Sequence, residues 1–131
     1  MTQLSITNPA TGVHIATVPA DDAASVAVKA AAARVAQAAW AARPMAERQD
    51  AIVRFRAVVH GHLDALAAVM TSETGKPIAM SRNELNGFLG RGDFFLAQAA
   101  DAVATEQVFE DGGMREQIEH TPLGVVANIS A

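Results

Sequence analysis

The amino-acid sequence predicts an α/β chain that is mostly helical. Long segments repeat their apolar residues at steps of three and four, which is the spacing of amphipathic helices. Two shorter pairs of extended runs surround clusters of turn-forming residues, as the strands of hairpins do. Near the end, the run at 125–129 has the composition of a strand that is buried on both faces of a parallel sheet.

Composition excludes several classes of function. Half of the 131 residues are hydrophobic and 18% are charged, so the chain is expected to fold. With 10 Lys and Arg against 14 Asp and Glu, and with no basic run, a nucleic-acid partner is not expected. The absence of cysteine excludes disulfides, thiolate metal sites and cysteine nucleophiles within these residues.

The apolar stretches and the N-terminal residues predict a cytoplasmic protein without a membrane partner. No apolar stretch approaches the roughly 18 residues that a membrane span needs. The first five residues, MTQLS, have neither the basic region nor the apolar region of a secretion signal.

The N-terminal segment predicts a small hairpin. Residues 5–7 lead into the turn-forming cluster at 8–12, and residues 13–18 then alternate in the manner of a strand. Pro19 closes the second strand.

The first helix is expected over 23–41. Asp21 and Asp22 precede it, and either side chain can accept hydrogen bonds from the free amides of a helix start. The predicted buried stripe consists of Val28, Ala31, Ala32, Val35 and Ala39. A stripe of such small side chains needs a neighbour that approaches closely.

The second helical segment starts at Pro44, which fits the first turn of a helix, with Glu47 near the positive end of the helix dipole. Its predicted apolar face consists of Ile52, Phe55, Val59, Leu63, Leu66 and Met70. Gly61 predicts a kink or a break in this segment. Gly75 is placed to end it in the left-handed conformation.

A third helix is expected over 78–104. Its predicted apolar face consists of Leu85, Phe88, Gly92, Phe95, Ala99 and Val103. A turn at 111–113 then joins two short extended runs, and the strand-like run at 123–130 completes the chain. A parallel partner for that run would need a crossover of a dozen or more residues, for which no room follows.

Spacing and composition alone reveal no active site. His60 and His62 are two apart on a helix and point in different directions, so surface positions are favoured over a metal site. The Gly-Arg-Gly at 90–92 lies in a helical pattern without a preceding strand, which favours close helix packing through Gly92 over a dinucleotide loop. The segment at 73–77 is interpreted as a helix end followed by a restart at proline.

Several segments taken together carry a family resemblance. They are TNPATG at 7–12, IATV at 15–18, Trp40, Glu47 with Arg48, ETGKP at 73–77 and TPLGVV at 121–126. In this order and at this spacing they resemble the N-terminal portion of the aldehyde dehydrogenase superfamily, from near residue 5 to the end.

The resemblance implies an enzyme with a Rossmann-like cofactor domain, a catalytic domain and a β-ribbon through which copies form a homo-oligomer. Residues 1–104 would be an N-terminal hairpin and the helical opening of the cofactor-binding domain. Residues 105–122 would belong to the oligomerisation ribbon, and residues 123–131 would be the first, truncated sheet strand of the cofactor domain.

The resemblance also implies oxidation of an aldehyde to a carboxylic acid with NAD or NADP. The family uses a cysteine thiolate, an asparagine that stabilises the oxyanion and a general-base glutamate, which all lie beyond residue 131 in the family's order. No catalytic residue is therefore assigned, and the chain alone is expected to be inactive. The alternative is a non-catalytic helical interaction module that pairs with a related partner chain.

Two sets of site residues follow from the resemblance. Ile129 and Ser130 match the strand end where the family contacts the cofactor through its main chain. Thr7, or Ile6, and Glu73 match positions at which some members hold a monovalent cation. At Glu73 a purely structural role at the helix end is the alternative.

Overall fold

Two antiparallel hairpins flank four helices in the structure, a computed structural model that describes residues 2–129. The strands are β1 (Gln3–Thr7), β2 (His14–Pro19), β3 (Glu106–Asp111) and β4 (Met114–Ile118). The helices are α1 (Ala23–Ala41), α2 (Met45–Gly61), α3 (Leu63–Thr74) and α4 (Ile78–Ala102). In this part of the chain β1 pairs with β2 and β3 pairs with β4, which confirms both predicted hairpins.

The turn between β1 and β2 is built around Asn8. Its side-chain Oδ1 accepts hydrogen bonds from the backbone N–H groups of Ala10 and Thr11, at 2.9 and 3.2 Å. Its own backbone N–H donates to the carbonyl of Val13 at 2.9 Å. Gly12 supplies the positive φ of 73° that the turn requires.

Helix α1 has the predicted bounds because Asp22 caps it. The Asp22 carboxylate accepts a hydrogen bond from the backbone N–H of Ser25 at 2.8 Å, and the Ser25 hydroxyl accepts one from the backbone N–H of Asp22 at 2.9 Å. This reciprocal pair is a capping box. Beside it, Lys29 forms an ion pair of 2.5 Å with Asp21.

Acidification is expected to loosen the start of α1. The hydrogen bond from the Ser25 backbone lowers the pKa of the Asp22 carboxyl, and the hydrogen bond from Lys29 lowers that of Asp21. A carboxylate with a depressed pKa in the folded state contributes stability above its unfolded pKa, and this contribution is lost as the pH falls below about 3.8. Asp22→Ala should therefore lower the amide protection factors of Ser25 and Val26 at neutral pH, and should reduce the further fall in protection that the native chain shows in acid.

The matched control for this prediction is Asp50→Ala, because Asp50 lies on the exposed surface of α2, away from a helix start. Equal exchange rates at Ser25 in the Asp22→Ala variant and the native chain would contradict the capping role.

The predicted buried stripe of α1 is wrong for this part of the chain. Val28 and Val35 are 69% and 79% exposed, and no residue of α1 is buried. The stripe needs a closely packed neighbour, and none of the elements within residues 2–129 packs extensively on this helix.

The second helical segment breaks where Gly61 predicted it. Helix α2 ends at Gly61, and His62 leaves the helical conformation before α3 begins. Gly75 ends α3 with a φ of 73°, as predicted. Pro44 is not in the first turn of α2 but directly before it, as the N-cap residue.

The core lies where α2, α3 and α4 meet. Val59, Ala67 and Leu89 are its buried apolar side chains. Ser81 is also buried, and its hydroxyl lies 2.9 Å from that of Thr71, so the two hydroxyl groups satisfy each other. This hydrogen bond joins α3 to α4.

The apolar faces predicted for the helices are only partly correct. Of the face predicted for the third helix, Leu85, Gly92 and Ala99 face the interior, but Phe88, Phe95 and Val103 are exposed. The buried apolar residue of α4 is Leu89. In the α2–α3 segment Val59 is buried, whereas Ile52, Phe55 and Leu66 are exposed. Two apolar stripes lie side by side on these helices, and periodicity does not decide which one faces the neighbour.

The predicted strand at 125–129 is not formed in the structure. Residues 119–129 make no ladder with another strand, and Ile129 is 94% exposed. A strand needs a hydrogen-bonding partner, and no other segment of residues 2–129 pairs with this run. Helix α4 also ends two residues earlier than predicted, at Ala102.

Candidate functional site

The turn of the first hairpin packs on the end of α3. A Cβ atom on Gly75 would lie 2.9 Å from Cγ of Pro9 and 3.8 Å from the backbone N of Ala10. The segments that carry Thr7 and Glu73 are therefore neighbours.

Polar contacts order the end of α3 and the segment that follows it. Lys76 forms an ion pair of 2.5 Å with Glu84, and the Thr74 hydroxyl donates to the carbonyl of Met70 at 2.6 Å. Thr7 and Glu73 themselves are exposed at the surface.

The histidines do not form a metal site. Within residues 2–129, no group of three or more His, Cys, Asp or Glu side chains could hold a metal ion. His60 and His62 are exposed, as predicted, and the Nε2 atom of His14 lies 2.9 Å from the Thr17 hydroxyl.

The glycines of α4 are not arranged as in a dinucleotide-binding loop. Gly90 and Gly92 lie inside the helix, so they form no loop after a strand. A Cβ atom on Gly92 would meet nothing within 4 Å, so the expected close packing through Gly92 is also not found.

Of the two predicted cofactor contacts, Ile129 lies in the exposed segment that follows β4. Ser130 lies outside the described residues.

The structure reveals one further feature, a cleft between α2, α4 and the segment at 120–122. It consists of two adjoining cavities of about 430 and 650 Å³, which share Met45 and Arg48 in their linings. The Nε atom of Arg48 is buried there without a hydrogen-bond partner. The sequence contained no signal for it beyond the place of Arg48, next to Glu47, among the segments that carry the family resemblance.

Comparison with known proteins places these observations in context. The model of the aldehyde dehydrogenase family matches residues 1–131. An N-succinylglutamate 5-semialdehyde dehydrogenase of Chromohalobacter salexigens is 34% identical over 121 residues, which are 92% of this chain and 24% of that protein.

Solved structures agree with this match. An aldehyde dehydrogenase from Brucella melitensis biovar abortus 2308 is 30% identical, with a TM-score of 0.81 over 88% of this chain and 24% of that one. PnpE in complex with nicotinamide adenine dinucleotide is 25% identical, with a TM-score of 0.84 over 93% of this chain and 25% of that one. The chain spans about a quarter of the length of the curated relatives it matches.

Proposed function

Because the chain belongs to the aldehyde dehydrogenase family, we propose that it is the N-terminal segment of an NAD(P)-dependent enzyme that oxidises an aldehyde to a carboxylic acid. The observation that carries the proposal is the family match over all 131 residues, combined with a length of about a quarter of the relatives. Use of a nicotinamide cofactor agrees with the solved NAD complex among its structural neighbours.

The surface of the chain supports a place within a larger assembly. Its accessible area is 10,150 Å², whereas a compact monomer of 13.6 kDa exposes about 6,600 Å². Part of this surface is apolar, since large hydrophobic side chains on α1, α4 and the segment at 123–129 are exposed. Surface of this kind is characteristic of interfaces that further polypeptide covers.

The chain's own residues supply no chemical step in this proposal. Within residues 2–129 there is no strand, glycine loop and helix arranged to bind a dinucleotide pyrophosphate. The part that we assign to the chain is structural: it provides the helical opening of the cofactor domain. Main-chain contact with the cofactor is proposed at Ile129 and Ser130.

Three further assignments belong to the same proposal. The β3–β4 hairpin, whose residues are all exposed, would form part of the ribbon through which copies of the enzyme associate. A monovalent cation would bind between Glu73 and the main chain at Thr7 or Ile6. The protein would be cytoplasmic; none of the helices within residues 2–129 is long and apolar enough to cross a membrane.

A second candidate function is a non-catalytic module that pairs with a related chain. The exposed apolar stripe of α1 is consistent with it, because a separate chain could cover that stripe as well as a further part of the same polypeptide could.

The intact mass of the gene product from its source cell distinguishes the two functions. We expect a mass several-fold above the 13.6 kDa of this chain, and NAD- or NADP-dependent oxidation of an aldehyde such as propanal or succinic semialdehyde by the purified product. As the matched control, the 131-residue chain alone should reduce neither cofactor above background. A native mass near 13.6 kDa would support the pairing module, and aldehyde oxidation by the short chain would refute the structural role.

A further inference from the structure

The middle of α4 contains a dipeptide that can react with itself, Asn86–Gly87. Of the four asparagines in the sequence, Asn86 is the only one that is followed by glycine. An asparagine side chain can react with the backbone nitrogen of the next residue, and glycine favours this reaction because it has no Cβ atom to hinder the approach. Both residues are exposed, and Gly87 lines an open cavity of about 470 Å³ on the surface of the helix.

The folded helix blocks this reaction. Within α4 the backbone N–H of Gly87 belongs to the ladder of helical hydrogen bonds, and the ψ angle of Asn86 is held near the helical value of roughly −42°. The Gly87 nitrogen therefore neither loses its proton nor approaches the Cγ atom of Asn86. The reaction requires that the helix opens at this point, as exchange of a hydrogen-bonded amide does.

Three glycines make the middle of α4 easy to open. Gly87, Gly90 and Gly92 occupy interior positions of the helix, where glycine is less favourable than alanine. A Cβ atom on any of them would meet no neighbouring element of the described chain within 4 Å, so close packing does not compensate for this cost. In addition, no side chain among residues 2–129 caps the start of α4 at Pro77.

Contacts with the core keep α4 closed on both sides of the dipeptide. Before it, Ser81 is fully buried. After it, the Leu89 side chain is 5% exposed, and Arg56 of α2 donates to the Leu89 carbonyl at 3.4 Å and pairs with Asp93 at 2.5 Å. Asn86–Gly87 therefore lies between two anchored points, and the turn around it can open without loss of the whole core.

We propose that Asn86 is a modification site that reacts when the middle of α4 opens. The Gly87 nitrogen attacks Cγ of Asn86, the new C–N bond closes a succinimide ring, and the side-chain amide leaves as ammonia with the proton of the Gly87 N–H. Water then opens the ring at either carbonyl and gives aspartate or isoaspartate. Isoaspartate adds a methylene group to the main chain, so the modified helix cannot restore its hydrogen-bond register and the change is irreversible.

Ageing of the 131-residue chain in mildly alkaline buffer tests the proposal. Trypsin cleaves after Arg82 and Arg91, so one peptide, 83–91, carries both Asn83 and Asn86 and is read by mass spectrometry. We expect aspartate and isoaspartate at position 86. Asn83 should stay intact in the same peptide, because the side chain of the following glutamate hinders ring closure.

Gly90→Ala isolates the role of the helix, because the change leaves the reacting dipeptide untouched. It should slow the reaction at Asn86 about fivefold, since alanine makes opening of the helix rarer by that factor. In urea the native and Gly90→Ala chains should react at the same rate, and both faster than the folded native chain. The matched control is Gly61→Ala, which makes the same change at an open position of α2 and should alter the rate by no more than about twofold.

Three results would overturn the proposal. The first is an equal rate in the native and Gly90→Ala chains, or in the folded and urea-unfolded chains. The second is a slowing by Gly61→Ala as large as that by Gly90→Ala, which would show unfolding of the whole chain rather than opening of α4. The third is aspartate without isoaspartate, because direct hydrolysis of the side chain gives aspartate alone. The measurement is independent of aldehyde oxidation.

Discussion

Leu89→Ala is expected to lower the free energy of unfolding of the chain by about 3 kcal/mol. Leu89 is 5% exposed and is the largest apolar side chain of the core between α2, α3 and α4. The substitution removes buried methyl groups and should leave a cavity, because the hydrogen bonds of Gln49 and Arg56 hold α2 in its position against α4. Urea unfolding, followed by circular dichroism in the helical band, measures the loss.

The control for this prediction is Leu123→Ala. Leu123 is 93% exposed, so the same chemical change should alter the free energy of unfolding by no more than about 0.5 kcal/mol. If both substitutions had the same effect, the core would not lie at Leu89. If Leu89→Ala unfolded the chain without denaturant, the stability of the chain would be smaller than the expected loss.

Gly75→Ala is expected to lower the free energy of unfolding by about 2 to 3 kcal/mol. The φ of 73° at Gly75 is unfavourable for any residue with a Cβ atom. That Cβ atom would also lie 2.9 Å from Cγ of Pro9, which is part of a rigid ring. The hairpin turn must therefore move away from the end of α3, and thermal or urea unfolding of the variant measures the combined cost.

Two variants separate the causes of this effect. Gly61→Ala is the matched control, because Gly61 is helical and a Cβ atom there meets nothing within 4 Å; it should be neutral or stabilising by about 0.5 kcal/mol. In a Pro9→Ala background, Gly75→Ala should cost less, since the steric part of the loss is gone. An equal loss in both backgrounds would show that the hairpin turn does not pack on Gly75.

The sequence predicted those elements whose limits are set by local chemistry. Helix α1 starts and ends where expected, because Asp22 caps its first turn and Pro44 follows its last. The hairpins formed as predicted, since Asn8 and Gly12 build the first turn and Gly112 and Gly113 supply the positive φ angles of the second. Gly75 was recognised as a helix end for the same reason, because few residues other than glycine adopt its conformation.

The sequence did not predict which faces are buried. Leu89 and Phe88 are adjacent on α4 and both fit an apolar stripe, but only Leu89 enters the core. The stripe of α1 and the strand at 125–129 failed for a related reason. Burial and strand pairing both depend on a neighbouring element, and residues 2–129 contain none for either of them.

The residues of the candidate sites could also be predicted only in part from the sequence. The resemblance assigned Thr7 and Glu73, and the contact of Pro9 with Gly75 does bring their segments together. Arg48 was noticed only as part of a family motif, since a charged residue on an amphipathic helix usually faces water. Its buried Nε atom becomes evident only when α2 is placed against α4.

The position of the core also sets the order in which the chain can fold during synthesis. Val59, Ala67 and Leu89 all lie between residues 45 and 102, so the three-helix core is complete once α4 has left the ribosome. Helix α1 emerges earlier, and its valine side chains stay exposed while α2, α3 and α4 are being synthesised. The nascent chain therefore contains a three-helix unit that can fold early, because its contacts are between residues near in sequence. The helix that precedes this unit exposes an apolar surface, which is the kind of segment that chaperones bind.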